Sequence, residues 1–403
     1  MRENHFEDGK YWVSPYNFLP EVRNNLALPP QVQIHDATLR DGEQTPGVVF
    51  SVDDKLAIAS KLSEVGVQRI EAGMPAVSPQ DAEAIKKISG LGLESKIFTF
   101  ARAMKKDIDM ALECGAHGVV IEVPIGYPKL VTQFGWTWED VFKKSREVIN
   151  YARECGLYAV FFPYDTTRAR AEDLENLCKA VMNESPPDSI GIVDTMGCAT
   201  PEAIKYMVRW VKEMTDGLPV EIHTHNDFGM GVATELAAVT AGAEVVHSCA
   251  NGLGERTGNA AMEELMISLD LLYGYETGFK LDKLPELAEL VSGISNIPIA
   301  RNKPVLGHGN FIRESGIGIQ YVMHDPLVMF GTHPALTGRA GEVVLGKKSG
   351  KSSILYKLEE LGIEAVADEK ISDILGAVKD KGIAKKDILS DEEFVEIVRD
   401  IVD

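Results

Sequence analysis

Cys155-Gly156-Leu157-Tyr158-Ala159-Val160-Phe161-Phe162 ends a helical pattern on a glycine and opens an apolar strand two residues later. The phrase recurs at Val65-Gly66 before Val67 to Glu71, at Cys114-Gly115 before Val119 to Val123, and at Ala241-Gly242 before Val245 to Ser248. Glycine supplies the helix C-cap and a strand begins a few residues on. Weaker units complete the series. Strands are expected at Val32 to His35, Gln68 to Glu71, Lys96 to Phe100, Gly118 to Glu122, Tyr158 to Phe162, Ser189 to Val193, Val220 to His223 and Glu244 to Ser248. Between them lie amphipathic stretches such as Val52 to Val65, with Ser51 as N-cap and Asp54 at the capping-box position, and Pro201 to Met214, capped by Thr200. Eight strand–helix units in about 250 residues match an α/β fold of the closed (β/α)8 TIM-barrel type. An open, doubly wound sheet is the competing arrangement. It needs one topological switch point, whereas polar residues here recur after nearly every strand.

The organisation predicted is an N-terminal arm (residues 1–30), a catalytic barrel (31–295), a linker subdomain (296–348) and a small helical C-terminal subdomain (349–403). The prolines between Ile297 and Lys303 and the glycines from Leu306 to Gly318 end the alternation. Helix-like segments return at Ser352 to Leu361, Asp368 to Lys381 and Asp391 to Val402, forming a mainly helical appendage.

The chain is 45% hydrophobic and 25% charged, the balance of a soluble globular protein. Its formal net charge of −20 argues against nucleic acid or an anionic membrane as partner, because phosphates attract basic faces. A phosphate-bearing cofactor must meet a local basic patch. The five cysteines form no C-x-x-C pair, which fits a reducing, cytoplasmic setting, and no signal-like or bilayer-spanning run is evident.

His223-Thr224-His225-Asn226-Asp227 places two imidazoles on one face of a strand, a metal-binding geometry. In a (β/α)8 barrel, function gathers at the C-terminal strand ends. Those ends offer Arg40, Asp41 and Glu43; Glu71; Arg102; Glu122; Asp165 and Arg168; Asp194 and Thr195; the histidine pair; and Asn251, Glu255 and Asn259. A carboxylate on strand one with the histidines of strand seven makes a divalent-metal site. Asp36 competes with Asp41 for that place, and Arg40 has an alternative reading as a structural ion-pair partner of Glu43 or Glu71. The glycine-dense loop Asn251 to Asn259 reads either as a flexible connector or as a backbone able to approach an anion or offer amide oxygens to a metal.

Thr38-Leu39-Arg40-Asp41-Gly42-Glu43-Gln44, Ile70-Glu71-Ala72-Gly73, Asp194-Thr195-Met196-Gly197, the His223 to Asp227 run, Asn251 to Asn259, and Leu345-Gly346-Lys347-Lys348-Ser349-Gly350 together resemble the DRE-TIM metallolyase superfamily. The resemblance is to its condensing branch of isopropylmalate, homocitrate and citramalate synthases and covers most of the chain. It implies metal ligation by Asp41, His223 and His225, with Asn259 as a fourth or nearby ligand. Arg40 would stabilise the developing oxyanion, with Glu43 and Glu71 as further catalytic candidates. Thr195, Arg168 and Gln44 would bind substrate. The cofactors implied are a divalent metal ion (zinc, manganese, cobalt or magnesium) and acetyl-CoA or another acyl-CoA as co-substrate, with a 2-oxo acid as acceptor.

Two departures stand out. The family's Ser-Gly-Ile-His segment, which brings a catalytic histidine from a partner subunit, reads Ser315-Gly316-Ile317-Gly318, and the strand-five carboxylate is replaced in Tyr164-Asp165-Thr166-Thr167-Arg168. His308, His324 and His333 are candidate substitutes, His324 foremost, and Tyr164 is a candidate acid or hydrogen-bond donor. The expected activity is condensation of an acyl-CoA with a 2-oxo acid to a 2-hydroxy di- or tricarboxylate, in a homodimer without a leucine-type regulatory domain. A carbon–carbon lyase on the same barrel is the alternative that the missing histidine keeps open. A metal- or metabolite-binding protein without turnover is the other.

Overall fold

The computed structural model describes residues 1–363 and 366–402. Two compact units emerge, one of Met1–Glu3 with Tyr16–Ile299, the other of Asn4–Pro15 with the chain from Ala300 onward.

In the first unit, the glycine-punctuated phrases become parallel strands: β1 (Gln33–Asp36), β2 (Arg69–Glu71), β3 (Lys96–Arg102), β4 (Gly118–Pro124), β5 (Tyr158–Tyr164), β6 (Ser189–Asp194), β7 (Val220–Thr224) and β8 (Val245–Ser248). They pair in chain order and close when β8 pairs β1, with Val246 opposite Ile34 and His247 opposite His35. This is the closed TIM barrel. β3 to β5 each run two residues beyond the expected ends, so Arg102 and Tyr164, which close β3 and β5, still lie in the sheet.

The first crossover helix, α1 (Val52–Val65), shows how local chemistry sets boundaries. Ser51 Oγ accepts from the Asp54 N–H while the Asp54 side chain accepts from the Ser51 N–H, the reciprocal box that holds a helix start. At its end Gly66 has φ 99°, a left-handed conformation that a side chain would strain, and the chain turns directly into β2.

The barrel interior divides by strand. On β3 to β6 the inward positions carry an apolar cluster of Phe98, Phe100, Val120, Val160, Phe162 and Val193. On the adjoining strands β7, β8, β1 and β2 the inward positions carry Glu221, His223, His247, His35, Arg69 and Glu71, all buried. The charged members of this polar half are balanced within it, as buried charges require. Glu221 accepts from Arg69 (2.8 Å), from Ser189 (2.6 Å) and pairs with His247 (2.9 Å), and His35 stacks on His247 at 4.2 Å between centroids.

In the second unit, Ile312–Arg313 pairs in parallel with Glu342–Val343. Helices Lys351–Glu360, Asp368–Lys385 and Asp391–Val402 enclose a core of Leu345, Ile354, Ile374, Val378 and Phe394. No helix among the described residues is long and apolar enough to cross a membrane.

Candidate active site

The loop after β1 folds back in tight turns, with Arg40, Asp41 and Gly42 N–H groups all donating to the Ala37 carbonyl. That turn carries Asp41 over the barrel mouth to meet the histidines of β7. Asp41 Oδ2 lies 3.1 Å from His223 Nε2 and 3.6 Å from His225 Nε2, and one ligand atom from each residue fits within 4.8 Å of the others. His223 is the last but one residue of β7 and His225 directly follows the strand, so the two-residue period places both rings inward.

The three residues are buried, and both Asp41 oxygens lack hydrogen-bond geometry to any described residue. Asn259 Oδ1 is likewise buried without a partner, while its amide nitrogen donates to the Leu253 carbonyl. Buried acceptors such as these three oxygens are costly unless a cation meets them, so the donor set of Asp41, His223 and His225 fits a divalent metal. Burial works against a charged Asp41, but Arg40 and the two histidines outweigh it and hold its carboxyl well below the usual range. Burial pushes His223 down, and His225 down to about 4, which keeps both rings neutral and able to ligate.

Asp36 is not part of this group. Its Oδ1 accepts from the Thr38 N–H, and burial raises its carboxyl to about 7. The second cluster of potential ligands, His35, Glu221 and His247, also lies within 4.8 Å. There the Arg69 guanidinium already balances Glu221, so it reads as a core network.

Arg40 takes the ion-pair geometry that was its alternative reading: Nε donates to Glu71 Oε1 at 2.9 Å and an Nη to Oε2 at 3.3 Å. Its guanidinium also lies 4.3 Å from the Phe100 ring centroid. Burial opposes ionisation of Glu71, but Arg40 and His35 overcome it and bring its carboxyl down to about 2. Glu71 thus clamps Arg40 beside Asp41. Glu43 is turned to Lys55 Nζ (2.6 Å) and to the Phe50 N–H (2.8 Å). Gln44, Leu39, Phe50, Met74 and Phe100 are among the residues around a cavity of about 410 Å³ next to Arg40.

On the far side of the mouth, Asp165 pairs with Arg168 through two bonds of 2.7 and 2.8 Å. Thr195 Oγ1 accepts from the Asp165 N–H, leaving its O–H free to donate. Tyr164 ends β5, and partial burial, with Glu122 and Asp165 nearby, raises its phenol to about 12, a donor rather than a base. The loop after β8 is tied down: Thr45 Oγ1 exchanges hydrogen bonds with Gly254, and the Asn226 N–H donates to the Gly258 carbonyl.

His308, His324 and His333 belong to the second unit. His333 Nδ1 accepts from the Ala335 N–H, capping a short turn. Gly318, standing where the related segment has histidine, has φ 80° and opens the short helix Ile319–His324. A histidine there would be strained, so the substitution comes with its own backbone conformation.

Two residues at the mouth escape the reading of motifs. Lys55 lies on α1 among residues that pattern as an amphipathic helix, yet it is buried between Glu43 and Asp81 (2.7 Å). Glu122, legible only as the polar end of strand four, is the one carboxylate on the inner face of β3 to β6 among the described residues, two places on from the interior Val120.

The HMGL-like family model matches residues 31–291. Over 97% of its length the chain is 38% identical to a homocitrate synthase of Methanopyrus kandleri, covering 97% of that protein. It is 39% identical over 95% of its length to a 2-isopropylmalate synthase of Methanocaldococcus jannaschii, covering 74% of it. The solved HMG-CoA lyase of Pseudomonas aeruginosa shares the barrel with a TM-score of 0.60 at 20% identity, covering 68% of this chain and 95% of the lyase. By the extent of the model match and of these relatives, the chain belongs to the HMGL-like, DRE-TIM family.

Proposed function

We propose that this protein is a metal-dependent enzyme that joins an acyl-CoA, acetyl-CoA in the first instance, to a 2-oxo acid, giving a 2-hydroxy di- or tricarboxylate and free CoA. The observation that carries the reading is the convergence of Asp41, His223 and His225 beside a clamped Arg40 at the mouth of the barrel. The near-full-length relatives named as synthases support condensation, whereas the likeness to the lyase rests on 20% identity over 68% of the chain. The cleaving alternative is therefore not favoured.

A divalent cation held by Asp41, His223 and His225, with Asn259 adjacent, would polarise the ketone of the bound 2-oxo acid. Arg40, fixed by Glu71 and stacked over Phe100, presents a preorganised positive charge where the ketone oxygen becomes negative. The Thr195 hydroxyl donates to the substrate carboxylate, and Arg168, shared with Asp165, adds positive charge on the same side. Glu43 and Lys55 hold the loop that carries Arg40 and Asp41.

The test is CoA release, followed by thiol titration, from metal-loaded protein given acetyl-CoA with pyruvate, 2-oxoisovalerate, 2-oxoglutarate, oxaloacetate or glyoxylate. Release that depends on one of these acids is expected. Silence with every acceptor overturns the reading.

A further inference from the structure

We propose that Glu122 is a catalytic residue of this condensation, the base that takes a proton from the carbon next to the thioester carbonyl. The inference rests on the condensing reading above and deepens it by naming a group that reading leaves unassigned.

The other carboxylates of the mouth are engaged. Asp41 faces the histidines, Glu43 is bound by Lys55, Glu71 by Arg40, and Asp165 by Arg168. Asp194 accepts from the Thr167 hydroxyl and from the Cys198 and Ala199 N–H groups. Asp227 is paired with Arg256. Glu122 alone among these has no hydrogen bond or ion pair to any described residue.

Its position makes that isolation informative. β4 alternates, so Glu122 shares the inner face with Val120 and stands at the upper edge of the apolar half of the interior. In register it lies opposite Phe162 of β5 and Arg102 of β3, and Arg102 is turned away to Asp107. A half-buried carboxylate above an apolar layer gains nothing from folding, since no partner repays its lost hydration. A group of this kind is held for something that enters from outside. The charged and titratable groups that face it are Arg40, Asp41 and Glu71 from the β1 and β2 ends, Lys129 from the segment after β4, and Tyr164 from β5. Burial raises its carboxyl to about 7, matched to accepting and returning a proton near neutral pH.

The step balances within the proposed reaction. The C–H bond of the acyl-CoA breaks, its proton passes to a Glu122 carboxylate oxygen, and its electron pair becomes the thioester enolate. The enolate carbon then bonds to the ketone carbon of the 2-oxo acid, whose carbonyl electrons move onto the oxygen beside Arg40. The alkoxide takes a proton from solvent, water then cleaves the thioester C–S bond to leave a carboxylate and free CoA, and Glu122 returns its proton to solvent before the next turnover.

Glu122→Gln keeps size and shape at a position with no bond to break, so folding and metal content should be unchanged. Its kcat should fall by about 100- to 10,000-fold while the KM for the 2-oxo acid stays within about threefold. Incubated in D2O with acetyl-CoA and a 2-hydroxy acid that fills the acceptor site without reacting, the wild type should wash deuterium into the acetyl methyl group and Glu122→Gln should not. Glu122→Asp, which keeps the carboxylate, should recover part of both activities, as a purely structural role would not require. Full turnover and exchange in Glu122→Gln, beside an active wild type, overturns this inference alone. Loss of metal from Glu122→Gln overturns it as well, by moving Glu122 into the ligand set. A wild type that releases no CoA with any acceptor overturns the condensing reading and this inference together.

Discussion

Lys55 illustrates what a single buried charge does in this protein. Its ammonium lies between Glu43 and Asp81, close to the Leu39 carbonyl, and so ties α1 and the helix that starts at Pro79 to the loop bearing Arg40 and Asp41. Replacing it by methionine fills the same space and leaves two carboxylates without their cation. Lys55→Met should destabilise the fold by about 3 kcal/mol, read from urea denaturation, and should lower metal affinity through the loosened loop. A variant as stable as the wild type would show that water reaches these carboxylates and that the pair is dispensable. Residues of this kind were poorly legible in the sequence. The candidate metal set was readable because an H-x-H pair on one strand, an acidic residue after another and the barrel context point together to one site, whereas a lysine inside an amphipathic repeat looks like any solvated lysine until its neighbours are known.

At the scale of elements, β1 shows how a strand end can set a pH dependence. Asp36 closes the strand and is fully buried; burial, with Glu263 and Glu71 nearby, lifts its carboxyl from 3.8 to about 7, against the opposing bond from the Thr38 N–H. Between those two values the folded state binds a proton that the unfolded chain has released. Stability should therefore fall as pH rises through this window, by about 1.4 kcal/mol per unit for this one group, and level off above it. Asp36→Asn keeps an acceptor for Thr38 and removes the titration. Urea midpoints at pH 5 and pH 8 should differ less in Asp36→Asn than in the wild type, and equal differences would refute the assignment. The capping box at Ser51 was visible in the sequence for a complementary reason: its chemistry is complete within four residues.

For the whole molecule, the proposed metal binding would be coupled to folding, because Asp41, His223 and His225 meet only when the closing barrel sets β1 and β7 on either side of β8. A metal at about 100 times its dissociation constant should stabilise the first unit by about 2.7 kcal/mol, seen as a rise in melting temperature that a chelator reverses. Asp41→Asn should abolish the rise, and a shift that survives in that variant would place the metal elsewhere. The barrel was legible in the sequence, since helix stops, strand onsets and caps are local and repeat at a regular interval, and so were the candidate metal ligands, since strand periodicity aims them inward. Folding is what grouped Asp41 rather than Asp36 with the histidines, joined Arg40 to Glu71, buried Lys55, and left Glu122 without a hydrogen bond or ion pair to any described residue on an apolar wall. These are properties of side chains brought together from strands far apart in the chain. Their energies depend on distance and burial, which no local pattern encodes.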